Sequence, residues 1–158
     1  MKGGGVLLQG HHLNDQAETV LMRALKGAGP ELLKGIPKKR PVSEGMLYRP
    51  WLDLSRELLE DSARNHSLLW VEDESNKDVQ FERNYLRNEI LPLLKERQLS
   101  VFSDLGKVAK KAQDAFDFIQ DWCRCQQEAL LSQKYAKQMA IEVSSLKEYS
   151  IQQQAYHP

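Results

Sequence analysis

The stretch VLLQGHHLNDQAETVLMRALKG, residues 6–27, decides the fold class. Val6-Leu7-Leu8 is an apolar run of strand length, and it passes within a few residues into a helical pattern. Ala17, Val20, Leu21, Ala24 and Leu25 recur at helical spacing. A helix is therefore predicted from about Asp15 to Lys26, with Gly27 as its stop. A strand that feeds directly into a helix implies an α/β layer rather than a helical bundle. Between the two lies an unusual density of polar groups: His11, His12, Asn14, Asp15 and Glu18.

Two readings of that density compete. In the first, Asp15 is an N-cap and Glu18, three residues on, reaches back to complete a capping box. His11 and His12 are then ordinary polar residues at a strand end. A zinc site is disfavoured, because adjacent strand residues point to opposite faces and no third ligand is evident. In the second reading the helix mouth is a chemical site. A helix N-terminus carries free N–H groups and partial positive charge, which suits phosphates. Histidines at the strand end can donate to phosphate oxygens. An acid beside them can hold Mg²⁺ or a substrate ammonium.

The rest of the chain bounds the answer. At 158 residues it has room for one domain or parts of two. Hydrophobic residues make up 41%, enough for a core, and 22 basic residues balance 22 acidic ones. No global basic field announces nucleic acid, although a local patch remains open. Cys123 and Cys125 are one residue apart in a helical pattern, which suits neither a disulfide nor a zinc framework and points to a reducing compartment. No apolar run approaches the ~20 residues of a membrane span, and MKGGGV has no apolar signal core. A soluble cytoplasmic protein is expected.

Further along, GAGPELLKGIPKKRP reads as a turn-rich connector with one short helical piece. GMLYRPW reads as a strand interrupted by Pro50. Ser55 is placed to cap a helix through about Asn65, with Leu58, Leu59 and Ala63 facing inward. SLLWVED reads as strand or extended chain. Phe81, Leu86, Ile90, Leu93 and Leu94 then mark a helix that Pro92 kinks or restarts. From Ser103 to about Ser132 one long amphipathic helix is predicted, so a boundary is expected near residue 98. A single strand or two cannot complete an α/β domain, and LKEYSIQQQAYHP starts a helical pattern and halts. Both features lead us to expect a part of a larger protein.

The motifs carry a resemblance. GHHLNDQAET is similar to the H-x-x-D-D-x-x-E-T element of the PP-loop ATP pyrophosphatases. WVEDESN, followed by RNYLR and PLL, resembles one family within them, the tRNA(Ile)-lysidine synthases. The likeness is strong over about residues 6–97 and weak beyond. It implies the C-terminal part of a Rossmann-like PP-loop domain (residues 1–98), a connecting helix (99–132) and the start of a substrate-binding middle domain (133–158).

The family joins lysine to carbon 2 of the wobble cytidine in tRNA(Ile) with a CAU anticodon, after ATP has adenylated the cytosine oxygen. The resemblance thus implies ATP and Mg²⁺ as cofactors, and tRNA(Ile) and free lysine as partners, and leaves room for a homodimer. Residue by residue, Asp15 and Glu18 match the motif's acids and are expected to orient the lysine ammonium or Mg²⁺, with Asp15 the metal ligand. His11, His12 and Asn14 fall on the nucleotide side; Asn14 stands where an acid is commoner and brings no charge. Arg83, Asn84 and Arg87 match R-N-x-x-R and are expected to clamp tRNA phosphates or AMP. The bland alternative is a surface pair bridging Glu82 or Glu89. Asp73, Ser75 and Asn76 are expected to order a turn, PKKRP to be a solvated loop, and Trp51 and Trp70 to be core residues.

The family's S-G-G-x-D-S loop, which cradles the triphosphate through backbone N–H groups, matches nothing in these residues. This polypeptide by itself is therefore not expected to transfer from ATP. The rivals are another PP-loop tRNA enzyme such as a cytidine 2-thiolase, for which the two cysteines are misspaced; a non-catalytic tRNA-binding fragment; and a structural α/β fragment that self-associates.

Overall fold

The computed structural model describes residues 4–71 and 78–130. Its sheet has three strands, β1 (Val6–Leu8), β2 (Lys39–Val42) and β3 (Gly45–Tyr48), in the order β1-β3-β2. β1 runs parallel to β3, with Leu7 opposite Leu47. Parallel neighbours need a crossover, and α1 (Leu13–Leu25) with α2 (Pro30–Leu33) provides it. β2 returns antiparallel to β3 through a two-residue turn in which Ser43 takes φ +49°, the sense of turn that matches strand twist.

The α/β expectation holds, and two of the three strands lie where the apolar runs place them. β2 is a correction. KRPV reads as loop because it is charged and contains proline, yet an edge strand tolerates both, and they also discourage pairing with other chains. Leu47 on the central strand is 2% exposed. β1 is apolar on both faces, the habit of buried parallel strands, but Val6, Leu7 and Leu8 are all exposed among the described residues. Trp51 and Trp70 are a second correction. Each is 48% exposed, so neither is a core residue of the described chain; an indole is large enough to pack one face and leave the other in water.

α1 begins earlier than predicted, at Leu13, with His12 as its extended N-cap. Ala17 and Val20 form its most buried stripe. The chain leaves the helix at Gly27, φ +73°, as the stop signal requires. Two α1 side chains then hold the connector. Gln16 Oε1 accepts from Ile36 N at 2.6 Å and its Nε2 donates to Ile36 O at 3.1 Å. Arg23 Nη1 donates to the carbonyls of Leu32 and Gly35. Gly35 sits at φ +68° with Gln16 Oε1 against the place a Cβ would take, so a side chain there would collide with the clamp.

α3 (Arg56–Asn65) is capped as expected, Ser55 Oγ accepting from Leu58 N at 3.3 Å. Leu58 does not face inward: it is exposed, and Leu59 and Ala63 are half-buried. Residues 68–71 carry no regular structure, so the strand expected there is not formed over them. The expected turn at Asp73, Ser75 and Asn76, and the start of a middle domain at 133–158, lie outside the described residues.

α4 (Glu82–Tyr85), a π turn (Leu86–Ile90) and α5 (Leu91–Arg97) follow one another. Leu91 N donates to Leu86 O, five residues back. Pro92 has no N–H to offer Asn88 O and its ring crowds that carbonyl, and the wider turn lies just before it. Leu86 and Leu91 are the buried positions here. α6 (Val101–Leu130) is the predicted long helix, and the first of the chain's two units ends within it, at residue 113. The motif residues all lie in the first unit.

Candidate functional site

The C-terminal end of β1 and the first turn of α1 bring the motif residues into position. His12 Nδ1 accepts from Asp15 N at 3.4 Å, and Asp15 Oδ2 accepts from His12 N at 3.0 Å. This is a capping box, but not the predicted one. Histidine takes the N-cap role and Asp15 the role of the acid three residues on. Asp15 is not the cap, and Glu18 is released from reaching back.

Glu18 instead turns inward, where it is 2% exposed. There it meets two arginines from the other motif. Arg87 Nε donates to Glu18 Oε1 at 2.6 Å and Arg87 Nη2 to Glu18 Oε2 at 2.8 Å, a two-pronged pair. Arg83 Nε donates to Glu18 Oε2 at 2.8 Å. Both guanidiniums also reach Asp15 Oδ1, at 3.0 Å from Arg83 and 3.2 Å from Arg87. Two acids and two bases thus form one compensated cluster. The local alternative, with these arginines bridging Glu82 or Glu89, is replaced by a pairing across 65 or more residues; Glu82 pairs with Lys26. The hydrogen bond to Glu18 holds the Arg87 guanidinium above its ordinary range, against the opposing effect of burial.

The remaining expected residues have separate tasks. Asn14 Oδ1 accepts from Arg56 N at 3.0 Å and so docks the start of α3 onto α1. Asn84 Nδ2 donates to Asp78 O at 2.9 Å and orders the approach to α4. His11 Nδ1 faces Arg49 Nε at 3.2 Å. Arg49, 6% exposed, lies within residues 6–97, where the resemblance is strong, yet sequence reasoning does not single it out as a site residue. Its local signal is a lone charge ending an apolar strand, GMLYR.

Mg²⁺ does not fit these residues as arranged. Asp15 Oδ1 and both Glu18 oxygens are engaged by guanidiniums, whose charge opposes a divalent cation placed among them. No group of three or more candidate ligands occurs among the described residues. Asp15 serves the two arginines and the His12 backbone.

Burial pushes the His12 imidazole below its ordinary value of about 6.5, while Asp15 and Glu18 pull it up more weakly. The folded chain then binds this proton less readily than the unfolded chain. Its contribution to stability is full above about pH 6.5 and is lost on acidification below that. The thermal midpoint is expected to fall between about pH 7.5 and pH 5. His12→Asn, which keeps a cap acceptor, is expected to flatten this part of the fall. Equal slopes in the two proteins, followed by circular dichroism, would assign the effect elsewhere.

The match to known proteins covers this same region. The model of the PP-loop domain matches residues 1–94, more than half of the sequence, and the chain belongs to that family. It is 48% identical over 110 residues to the tRNA(Ile)-lysidine synthase of Pseudomonas fluorescens, covering 70% of this chain and 25% of that one. To the tRNA(Ile)-lysidine synthase of Pseudomonas syringae pv. tomato it is 54% identical over 91 residues, 58% of this chain and 20% of the relative. The enzyme of the same name from Coxiella burnetii is 43% identical over 109 residues, 69% and 24% of the two chains. The chain thus spans about a quarter or less of the length of these curated relatives. No described helix is long and apolar enough to cross a membrane.

Proposed function

We propose that this chain carries the lysine-recognising part of an ATP-dependent C–N ligase that forms lysidine at the wobble cytidine of tRNA(Ile) with a CAU anticodon. The observation that carries the reading is the Asp15–Glu18–Arg83–Arg87 cluster, assembled from both family motifs inside the matched region. The names of the relatives support tRNA(Ile) as the substrate; the wobble cytidine, the CAU anticodon and free lysine come from the resemblance.

The reaction has two steps. The cytosine oxygen attacks ATP and pyrophosphate leaves; the lysine ε-amine then attacks carbon 2 and AMP leaves. Each step needs a charge held in place. Glu18 and Asp15 are acids in a water-poor site, suited to holding an ammonium and taking its proton before attack. Both are engaged by arginine in this structure, so lysine has to replace a guanidinium. Arg83 is the one to yield: its side chain is 42% exposed against 24% for Arg87, and it lacks Arg87's two-pronged grip on Glu18. Arg83, released toward solvent, then meets the phosphates of AMP or tRNA beside Asn84 and Arg87. His11 and His12 line the nucleotide side.

The test is L-lysine binding to the 158-residue chain by calorimetry. Lysine is expected to bind, Glu18→Gln to abolish binding, and Arg83→Ala to tighten it about tenfold by removing the competitor. Arg83→Ala is also expected to weaken binding of a tRNA(Ile) transcript and to reduce its salt dependence. No lysine binding by the parent chain, or weaker binding in Arg83→Ala, would sink the reading. In a parallel assay, tRNA- and lysine-dependent AMP formation is not expected from these residues alone, because they contain no S-G-G-x-D-S loop.

A further inference from the structure

Arg49 is a buried cation that the ligase chemistry leaves unused. It stands one residue beyond β3, and its hydrogen-bond partners are neutral. Arg49 Nη1 donates to Pro37 O at 2.7 Å, and Arg49 Nε points at His11 Nδ1 at 3.2 Å. No carboxylate pairs with it among the described residues. Guanidinium nitrogens only donate, so the ring nitrogen they face must present a lone pair. The His11 ring proton is then on Nε2, since the bond made by one ring nitrogen selects the tautomer at the other.

This restricts what His11 can do. With Nδ1 occupied as an acceptor and Nε2 protonated, the ring has no free lone pair. It can neither ligate a metal nor take a proton without losing Arg49. What remains is donation from Nε2. The buried charge beside the ring strengthens that donor and favours an anionic acceptor.

We infer that Arg49 is a positioning residue that locks His11 as an Nε2–H donor to a phosphate oxygen of the bound nucleotide. This rests on the nucleotide side of the site proposed above, and adds a residue and a tautomer to it.

The decisive measurement is the ¹⁵N spectrum of the histidine rings in the full 158-residue chain, with His11 assigned by its disappearance in His11→Gln. The parent chain is expected to show His11 as a single Nε2–H tautomer. In Arg49→Met the ring is expected to average between tautomers, and Arg49→Lys, which keeps a donor, is expected to retain most of the parent pattern. Titration with ATP, without added metal, is expected to shift the Nε2 resonance, and adenosine is not. Arg49→Met is expected to bind ATP about tenfold more weakly. An Nδ1–H or averaged ring in the parent chain, or an unchanged tautomer in Arg49→Met, overturns the positioning role. An Nε2 signal indifferent to ATP overturns the phosphate as its acceptor. If Arg49→Met does not fold, the parent spectrum and Arg49→Lys decide. The lysine-binding reading is untouched by these outcomes, because it is measured at Glu18.

Discussion

Replacing Arg87 by methionine is expected to destabilise the chain by about 3–5 kcal/mol, the usual cost of stranding one member of a buried ion pair. Glu18 is left 2% exposed with only Arg83 to compensate it. Glu18→Leu is expected to cost less, because Arg87 and Arg83 are partly exposed and can rehydrate when their acid is gone. Arg87→Lys keeps the charge and loses the two-pronged geometry, and falls between parent and Arg87→Met. The double variant Glu18→Leu/Arg87→Met is expected to be more stable than Arg87→Met alone. Urea unfolding of the parent, both single variants and the double variant gives the coupling energy. Additivity within about 0.5 kcal/mol would mean that the pair acts as two independent surface charges.

The sign of that double variant bears on function. A buried ionic cluster is weak evidence for stability, since apolar residues of similar volume often serve as well. If the apolar pair restores stability while abolishing lysine binding, the cluster serves chemistry rather than the fold. Both properties lost in parallel would make it a structural clasp.

Leu47→Ala is the second large expected effect, about 2–5 kcal/mol of lost stability from the removed contacts and the cavity left behind. Leu47 is 2% exposed on the central strand, paired with Leu7 on one side and Arg40 on the other. The strand also carries the site: Gln9 N donates to Tyr48 O, which sets the end of β1, and Arg49 follows directly. The same variant is therefore expected to loosen the His11–Arg49 contact and broaden the His11 ring signal. Loss of stability near 1 kcal/mol or less, with the His11 signal unchanged, would place the core of this unit elsewhere.

Periodicity suffices for α1, α3 and α6, because an amphipathic helix repeats its apolar positions over several turns. It fails at β2, whose four exposed residues carry no alternation, and at Leu58, whose helix buries no residue deeply. The cap shifts for a local reason. Asp15 and Glu18 have the right spacing for a capping box, but His12 and Asp15 have it too, and residue preference then favours the pair whose first member is the commoner cap residue.

The site divides along the same line. The helical spacing of Asp15 with Glu18, and of Arg83 with Arg87, is a property of the local chain and is legible in the sequence. So are the compensated charge balance and the family motifs. That these two pairs neutralise each other, that Asn14 docks α3 onto α1, and that Arg49 reaches His11 were decided only by the tertiary structure. Each joins residues far apart in sequence. Which partner wins there depends on burial: in the interior an unpaired charge costs far more than at the surface, so the packing of α4 and the π turn against α1 settled the pairing.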